Sequence, residues 1–146
     1  MSFVLVVRMH AKEGEEERAA VAQEPKAYRQ ALENVALVEA GVLGFTGLVL
    51  SILPGRSACY RCAFPVEPAP GSVPSCREAG VLGAMAGIVG SIQALEALKL
   101  LAGVGNPLTD RILQLDGHDM SQTIVSTSRR ADCPACARVP AAPQSA

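Results

Sequence analysis

The sequence predicts an α/β domain, and three observations carry that reading. Runs of β-branched and large apolar residues at 3–8 and within 37–55 suit short buried strands. An apolar stretch at 79–103, interrupted by glycines and closed by QALEALKLLAG, suits a packed helix. Four of the five cysteines fall into two CxxC pairs, a spacing that concentrates thiols on tight turns. At 146 residues the chain has the size of one ordinary domain, and its 49% apolar content, drawn mostly from small and aliphatic residues, is enough for a core.

Composition also excludes function classes. The net charge is -1 with no basic stripe, which removes the electrostatic footprint of a nucleic-acid binder. Aromatics make up 3% and Trp is absent, so base-stacking platforms are lacking too. The N-terminal apolar run, Phe3 to Val7, is short, has no basic region before it and meets acids soon after. An export signal needs a longer apolar core, so the expected location is cytoplasmic. An odd number of cysteines in such a chain favours metal or catalytic thiols over disulfides.

In chain order, Phe3 to Arg8 reads as a first strand, and KEGEEER (Lys12 to Arg18) as a solvated charge run near a helix start. Glu17 to Asn34, broken by Pro25, reads as one or two helical pieces. LVEAGVLGFTGLVLSILPG, Leu37 to Gly55, reads as two strands joined by a tight bend, because its glycines break an aliphatic run at short intervals. Phe64 to Ser75 holds four prolines and reads as a long extended loop, a class of segment that tends to be functional. Ala79 to Gly103 is apolar enough to resemble a membrane span. Gln93, Glu96 and Lys99 lie well inside it, however, and each charge costs about 2.5 to 3.5 kcal/mol at a bilayer centre. A buried helix ending at Gly103 is the expectation. Arg111 to Ser128 reads as a β-hairpin turning at DGHD. Residues 1–36 form a strand and helix segment of unclear origin, 37–138 the main unit, and 139–146 a flexible tail.

Cys59 and Cys62 form one CxxC, and Cys133 and Cys136 form the other. Two thiolates from each turn complete the tetrahedron that Zn²⁺ prefers, and a closed four-thiolate site leaves no position for water. Iron–sulfur binding and redox chemistry are the alternatives, but redox chemistry leaves a second pair without a task. Zinc held this way would be structural. Cys76, in PSCREAG, is the remaining thiol. A place at the start of the long helix, beside Arg77, would favour its thiolate, although unpaired cysteines are more often inert. His10 and His118 show no ligand spacing and read as structural or surface residues. Asp116 and Asp119 suit a turn for backbone reasons alone.

Taken in order, LVEAGVLGFTGLVLSILPG, CYRCAFP, PGSVPSCREAGVLG, GSIQALEALKLLAG and DCPAC resemble the ThiF/MoeB/HesA family, bacterial relatives of ubiquitin-activating enzymes. The resemblance runs from about Leu37 to Cys136. It implies the C-terminal half of a Rossmann-type fold, with a mixed β-sheet, a long buried glycine-rich helix and a four-cysteine zinc clamp. It implies activation of the C-terminal glycine of a ubiquitin-like sulfur carrier with ATP and Mg²⁺, in thiamine or molybdopterin biosynthesis. By resemblance, Cys59, Cys62, Cys133 and Cys136 are the structural zinc ligands, and Cys76 is the crossover-loop cysteine that in some members links covalently to the activated carrier. The family's GxGGLG phosphate loop and its magnesium aspartate have no counterpart in these residues. The expected partners are therefore a sulfur carrier and either a second copy or a chain supplying the ATP-binding half. A non-catalytic module that docks a carrier or a full-length paralogue is the alternative.

Overall fold

Val38, Ala40 and Val42 alternate with Leu37, Glu39 and Gly41 along one extended segment, and the alternation sends them to opposite faces of a sheet. The computed structural model describes residues 2–7, 35–66, 69, 72 and 76–139, with 2–7, 76 and 77 described as backbone. Strands β1 (Ser2–Val7), β2 (Ala36–Leu43), β3 (Thr46–Ile52), β4 (Arg111–Asp116) and β5 (Ser121–Ser126) lie side by side in that order. Between them come two single helical turns, α1 (Tyr60–Ala63) and α2 (Cys76–Ala79), and one long helix, α3 (Gly83–Ala102).

Every neighbouring pair of strands is antiparallel. This corrects the mixed sheet implied by the family resemblance. Two neighbouring pairs are closed by tight turns, β2 to β3 through Gly44 at φ 55° and β4 to β5 through the DGHD turn. The long excursion from Ile52 to Arg111 also returns its strand antiparallel. Parallel pairing among the described residues is limited to isolated bridges, Gly44 with Val81 and Ser51 with Thr109. The sequence reading of two strands in 37–55 and a hairpin in 111–128 agrees with this arrangement. The helical pieces expected within 17–34, His10 and residues 140–146 lie outside the described residues, as does most of the proline-rich loop.

Each face of the sheet has its own core. Ala36, Val38, Ala40, Val49 and Leu115 pack against Met85, Val89 and Ala97 of α3. On the other face Leu37, Leu50, Ile52 and Ile112 pack against the cysteine-bearing loops. Gly47 lies on the α3 side, where an added Cβ would meet Val89 Cγ2 at 2.4 Å, so the missing side chain is what lets helix and sheet close up.

The helix is less buried than the sequence implies. It begins at Gly83 and is capped by Gly103 in the left-handed conformation, φ 63°, whose N–H bonds Lys99 O. Its inner face carries Met85, Val89, Gln93, Glu96 and Ala97. Leu95, Leu98 and Leu101 on the outer side are 56%, 61% and 62% exposed, which corrects the expectation of a buried helix. The reason is that one sheet covers only one side of a helix that is apolar nearly all round. By length and composition α3 would also pass for a membrane span, yet its mid-helix polar groups are engaged within the domain. Gln93 Nε2 donates to Val38 O at 2.8 Å. Glu96 Oε2 accepts from Leu108 N at 2.6 Å and from Ser51 Oγ at 3.1 Å, while Oε1 pairs with Lys99 Nζ.

Two stability outcomes follow from this packing. Gly47→Ala should lower unfolding free energy by about 1 to 3 kcal/mol, the usual cost of forcing atoms into a filled core. Glu96→Ala leaves the Leu108 N–H and the Ser51 hydroxyl without their acceptor and should cost about 2 to 4 kcal/mol. Urea denaturation followed by circular dichroism checks both, and a parent-like midpoint for either variant contradicts the packing described.

Candidate metal centre

The first cysteine turn is built by the chain leaving β3. Arg56 N and Ser57 N both bond Leu53 O, and Ser57 Oγ accepts Leu53 N at 2.8 Å, so the chain reverses in a closed loop with Gly55 at φ 71°. Ala58 N then donates to Asp110 Oδ1 at 2.7 Å, fixing the approach to Cys59 from the start of β4. Asp110 itself has φ 56°, an uncommon backbone for a non-glycine residue that Asp tolerates better than most. Cys59 stands at the N-cap of α1 in extended conformation, and its carbonyl accepts Cys62 N at 2.9 Å and Ala63 N at 3.1 Å. That turn brings the two side chains to the same side.

The second turn follows β5. Cys133 O accepts Ala137 N at 3.0 Å, and Cys136 O accepts Val139 N at 3.1 Å. The two turns face each other across the sheet surface. Cys59 Sγ lies 3.6 Å from Cys133 Sγ, Cys62 Sγ lies 3.5 Å from Cys136 Sγ, and Cys59 and Cys62 are 3.8 Å apart. All four ligand atoms fall within 4.8 Å of one another, and all four residues are buried.

These distances fit a metal ion. A tetrahedral ion with bonds of about 2.3 Å to sulfur sets its sulfurs about 3.8 Å apart. The four cysteines are free thiols rather than disulfides and offer a sulfur-only donor set. They could hold one ion in a closed shell, a structural rather than catalytic arrangement. Burial pushes the Cys59 and Cys136 thiols up from their ordinary value of 9.0. Burial also raises Cys133, but backbone N–H groups of Cys136 and Ala135 and the neighbouring thiols outweigh it and bring Cys133 down to about 7. A favoured thiolate at Cys133 beside the raised thiols of Cys59 and Cys136 is a set ready to exchange protons for a cation.

Among the described side chains the cluster comprises those four cysteines, and Cys76 is described as backbone alone. It opens α2, a single turn separated from α3 by Gly80–Leu82, so it does not stand at the head of the long helix as the sequence suggests. Its side chain lies outside the described residues. His118 is exposed at the β4–β5 turn, its Nδ1 2.8 Å from Asp116 Oδ1 and its ring 4.3 Å from that of Phe45. The Asp116 carboxyl lies below its ordinary value because the His118 backbone N–H donates to it, helped by the ring. Asp119 is lowered likewise by Ser121 N. Both carboxylates thus serve the turn.

Comparison with known proteins decides the family. The ThiF family profile matches residues 18–135, which takes in the span from Phe64 to Ser75 and reaches back beyond Leu37. The chain belongs to the ThiF family. It is 43% identical over 104 residues to the SAMP-activating enzyme E1 of Haloferax volcanii, covering 71% of this chain and 38% of that protein. It is 48% identical over 82 residues to the sulfur carrier protein adenylyltransferase of Thermus thermophilus, covering 56% of this chain and 30% of that one. In fold it is similar to Escherichia coli MccB crystallised with ATP, with a TM-score of 0.63 at 13% identity, covering 77% of this chain and 35% of that structure. The ThiF-family chain thus spans about a third of the length of these proteins.

Protonation of the cluster has a definite sign. Cys59 and Cys136, raised in the metal-free fold, are protonated at neutral pH, so a metal must displace their protons and its affinity rises with pH. In the metal-free protein the same raised thiols contribute stability that is present below the ordinary thiol value of 9.0 and fades as pH climbs above it. Zinc titration in weak buffer with a pH indicator should release about two or more protons per ion at neutral pH. A proton-silent titration contradicts the assignment.

Proposed function

We propose that these residues form the carrier-facing half of an enzyme that adenylylates the C-terminal glycine of a ubiquitin-like sulfur carrier, in thiamine or molybdopterin biosynthesis, in the cytoplasm. The observation that carries the reading is the buried four-cysteine cluster, of which Cys59, Cys62 and Cys133 lie in the span matched to the family and Cys136 follows directly after it. The Haloferax relative, a SAMP-activating enzyme, and the Thermus relative, a sulfur carrier protein adenylyltransferase, support the reaction class. Zn²⁺ held by Cys59, Cys62, Cys133 and Cys136 would supply no chemistry beyond cross-linking the loop after β3 to the chain after β5.

In the reaction, an oxygen of the carrier carboxylate attacks the α-phosphorus of ATP, pyrophosphate leaves, and an acyl-adenylate forms. The ATP and Mg²⁺ contacts come from outside these 146 residues, since the sequence has no glycine-rich phosphate loop. Cys76, on the segment between the first cysteine turn and α3, would take the activated carrier. Its thiolate would attack the acyl carbonyl, displace AMP and form a thioester. The half supplying ATP would pack against the outer side of α3, where Leu95, Leu98 and Leu101 present an apolar surface. A homodimer through the same surface is the companion expectation.

The missing phosphate loop favours a second reading, a non-catalytic module that docks a carrier or a full-length paralogue. Carrier-dependent exchange between ATP and pyrophosphate separates the two. Exchange by the chain mixed with a family member's nucleotide-binding half supports the enzyme, whereas carrier binding without exchange supports the module. Leu98→Glu should abolish association with that half or with a second copy, read by sedimentation velocity, without unfolding the chain. Unchanged sedimentation removes α3 as the interface. In zinc-loaded protein Cys76 should be alkylated at least about tenfold faster than the other four cysteines, and equal protection of all five excludes the covalent role.

A further inference from the structure

The two cysteine turns are 74 residues apart in the chain, so their alignment needs a fastening beyond the cysteines themselves. Arg129, just after β5, touches both. Its Nη1 donates to Gly55 O at 3.1 Å, in the loop that leads into Cys59. Its Nη2 donates to Cys136 O at 2.8 Å and to Val139 O at 2.5 Å, in the second turn. The next residue adds a direct contact to sulfur, since Arg130 N donates to Cys62 Sγ at 3.4 Å. Within two residues the backbone and one guanidinium therefore reach both cysteine turns.

The chemistry suits an arginine. Its planar fork can satisfy carbonyls on two strands of chain at once, which a lysine point charge cannot do with the same geometry. Four thiolates around a divalent cation also carry a net charge of about −2, and a partly buried guanidinium nearby offsets it. N–H groups that donate to metal-bound sulfur orient it and stabilise its charge. The Arg130 side chain is paired with Asp132 at 3.0 Å, in the range where its charge also acts on Cys62 and Cys133.

We propose that Arg129 is a positioning residue of the metal centre, holding the two cysteine turns at ligand spacing and balancing the charge of the filled site. The proposal rests on reading the four cysteines as a metal site. The test uses the full chain and zinc competition with a chromophoric chelator, giving affinity and release rate for the parent, Arg129→Met, Arg129→Lys and Arg111→Met. Arg111 is the matched control, because its Nη2 also holds backbone carbonyls, those of Asn106 and Pro107, away from the cysteines.

Arg129→Met should bind zinc about 10- to 100-fold more weakly and release it faster, the range seen when outer-shell partners of metal ligands are removed. Arg129→Lys, which keeps the charge without the fork, should fall between Arg129→Met and the parent. Arg111→Met should lose folding stability while keeping parent zinc affinity. Parent-like affinity in Arg129→Met overturns the proposal, as does an equal loss in the Arg111 control. If Arg129→Met is recovered only unfolded, Arg129→Lys decides, and parent-like zinc release from it overturns the proposal. A parent chain that binds no zinc would instead fail the metal reading itself, so the two failures are distinguishable.

Discussion

The fold depends on a contact between two short turns that the chain visits far apart, the loop after β3 and the loop after β5. Four buried sulfurs meet there, and the core on that side of the sheet is built around them. Leu37, Leu50, Ile52 and Ile112 supply the apolar floor, and the cover consists of Cys59, Cys62, Cys133 and Cys136 with Ala58, Ala135, Val139 and Phe64. Hydrogen bonds accepted by Asp110 and donated by Arg129, together with the thiol cluster, add to the attachment.

The opposite face is organised by a different logic. There α3 lies on the sheet through a glycine-assisted close approach and is tied at its middle by Gln93 and Glu96. Glu96 joins the helix to β3 through Ser51 and to the loop before β4 through Leu108, so one carboxylate connects three parts of the chain. Buried polar groups of this kind specify a unique arrangement because any other packing leaves them unpaired. The leucines on the far side of α3 take no part in that scheme. They form an apolar face that the described residues leave uncovered.

Much of this was legible in the residues. The aliphatic run broken by Gly44 and Gly47 announced a strand pair, and Gly103 announced a helix end, because glycine conformational freedom is a local property. The two CxxC turns announced a common site because thiols at that spacing have few other uses. The direction of β4 beside β3 was not legible, since it depends on how the long excursion between them returns, and no local pattern records that. The exposure of Leu95 and Leu98 was hidden for a similar reason, as apolar residues all round a helix look the same whether a second layer covers them or not. Asp110 and Arg129 left no signal at all. Their importance comes from reaching backbone groups 52 and 74 residues away, which sequence spacing does not encode.

The 74-residue separation of the cysteine pairs also governs the order of events when the chain folds. Each CxxC turn is local and can form early, but joining the two requires closure of a long loop, whose entropy is recovered only once the strands between are in place. The cluster is therefore a latch that closes late. An interaction absent from the folding transition state leaves the folding rate nearly unchanged and acts on the rate of opening. In kinetic terms, an ion filling the cluster would lengthen the lifetime of the folded chain rather than hasten its formation.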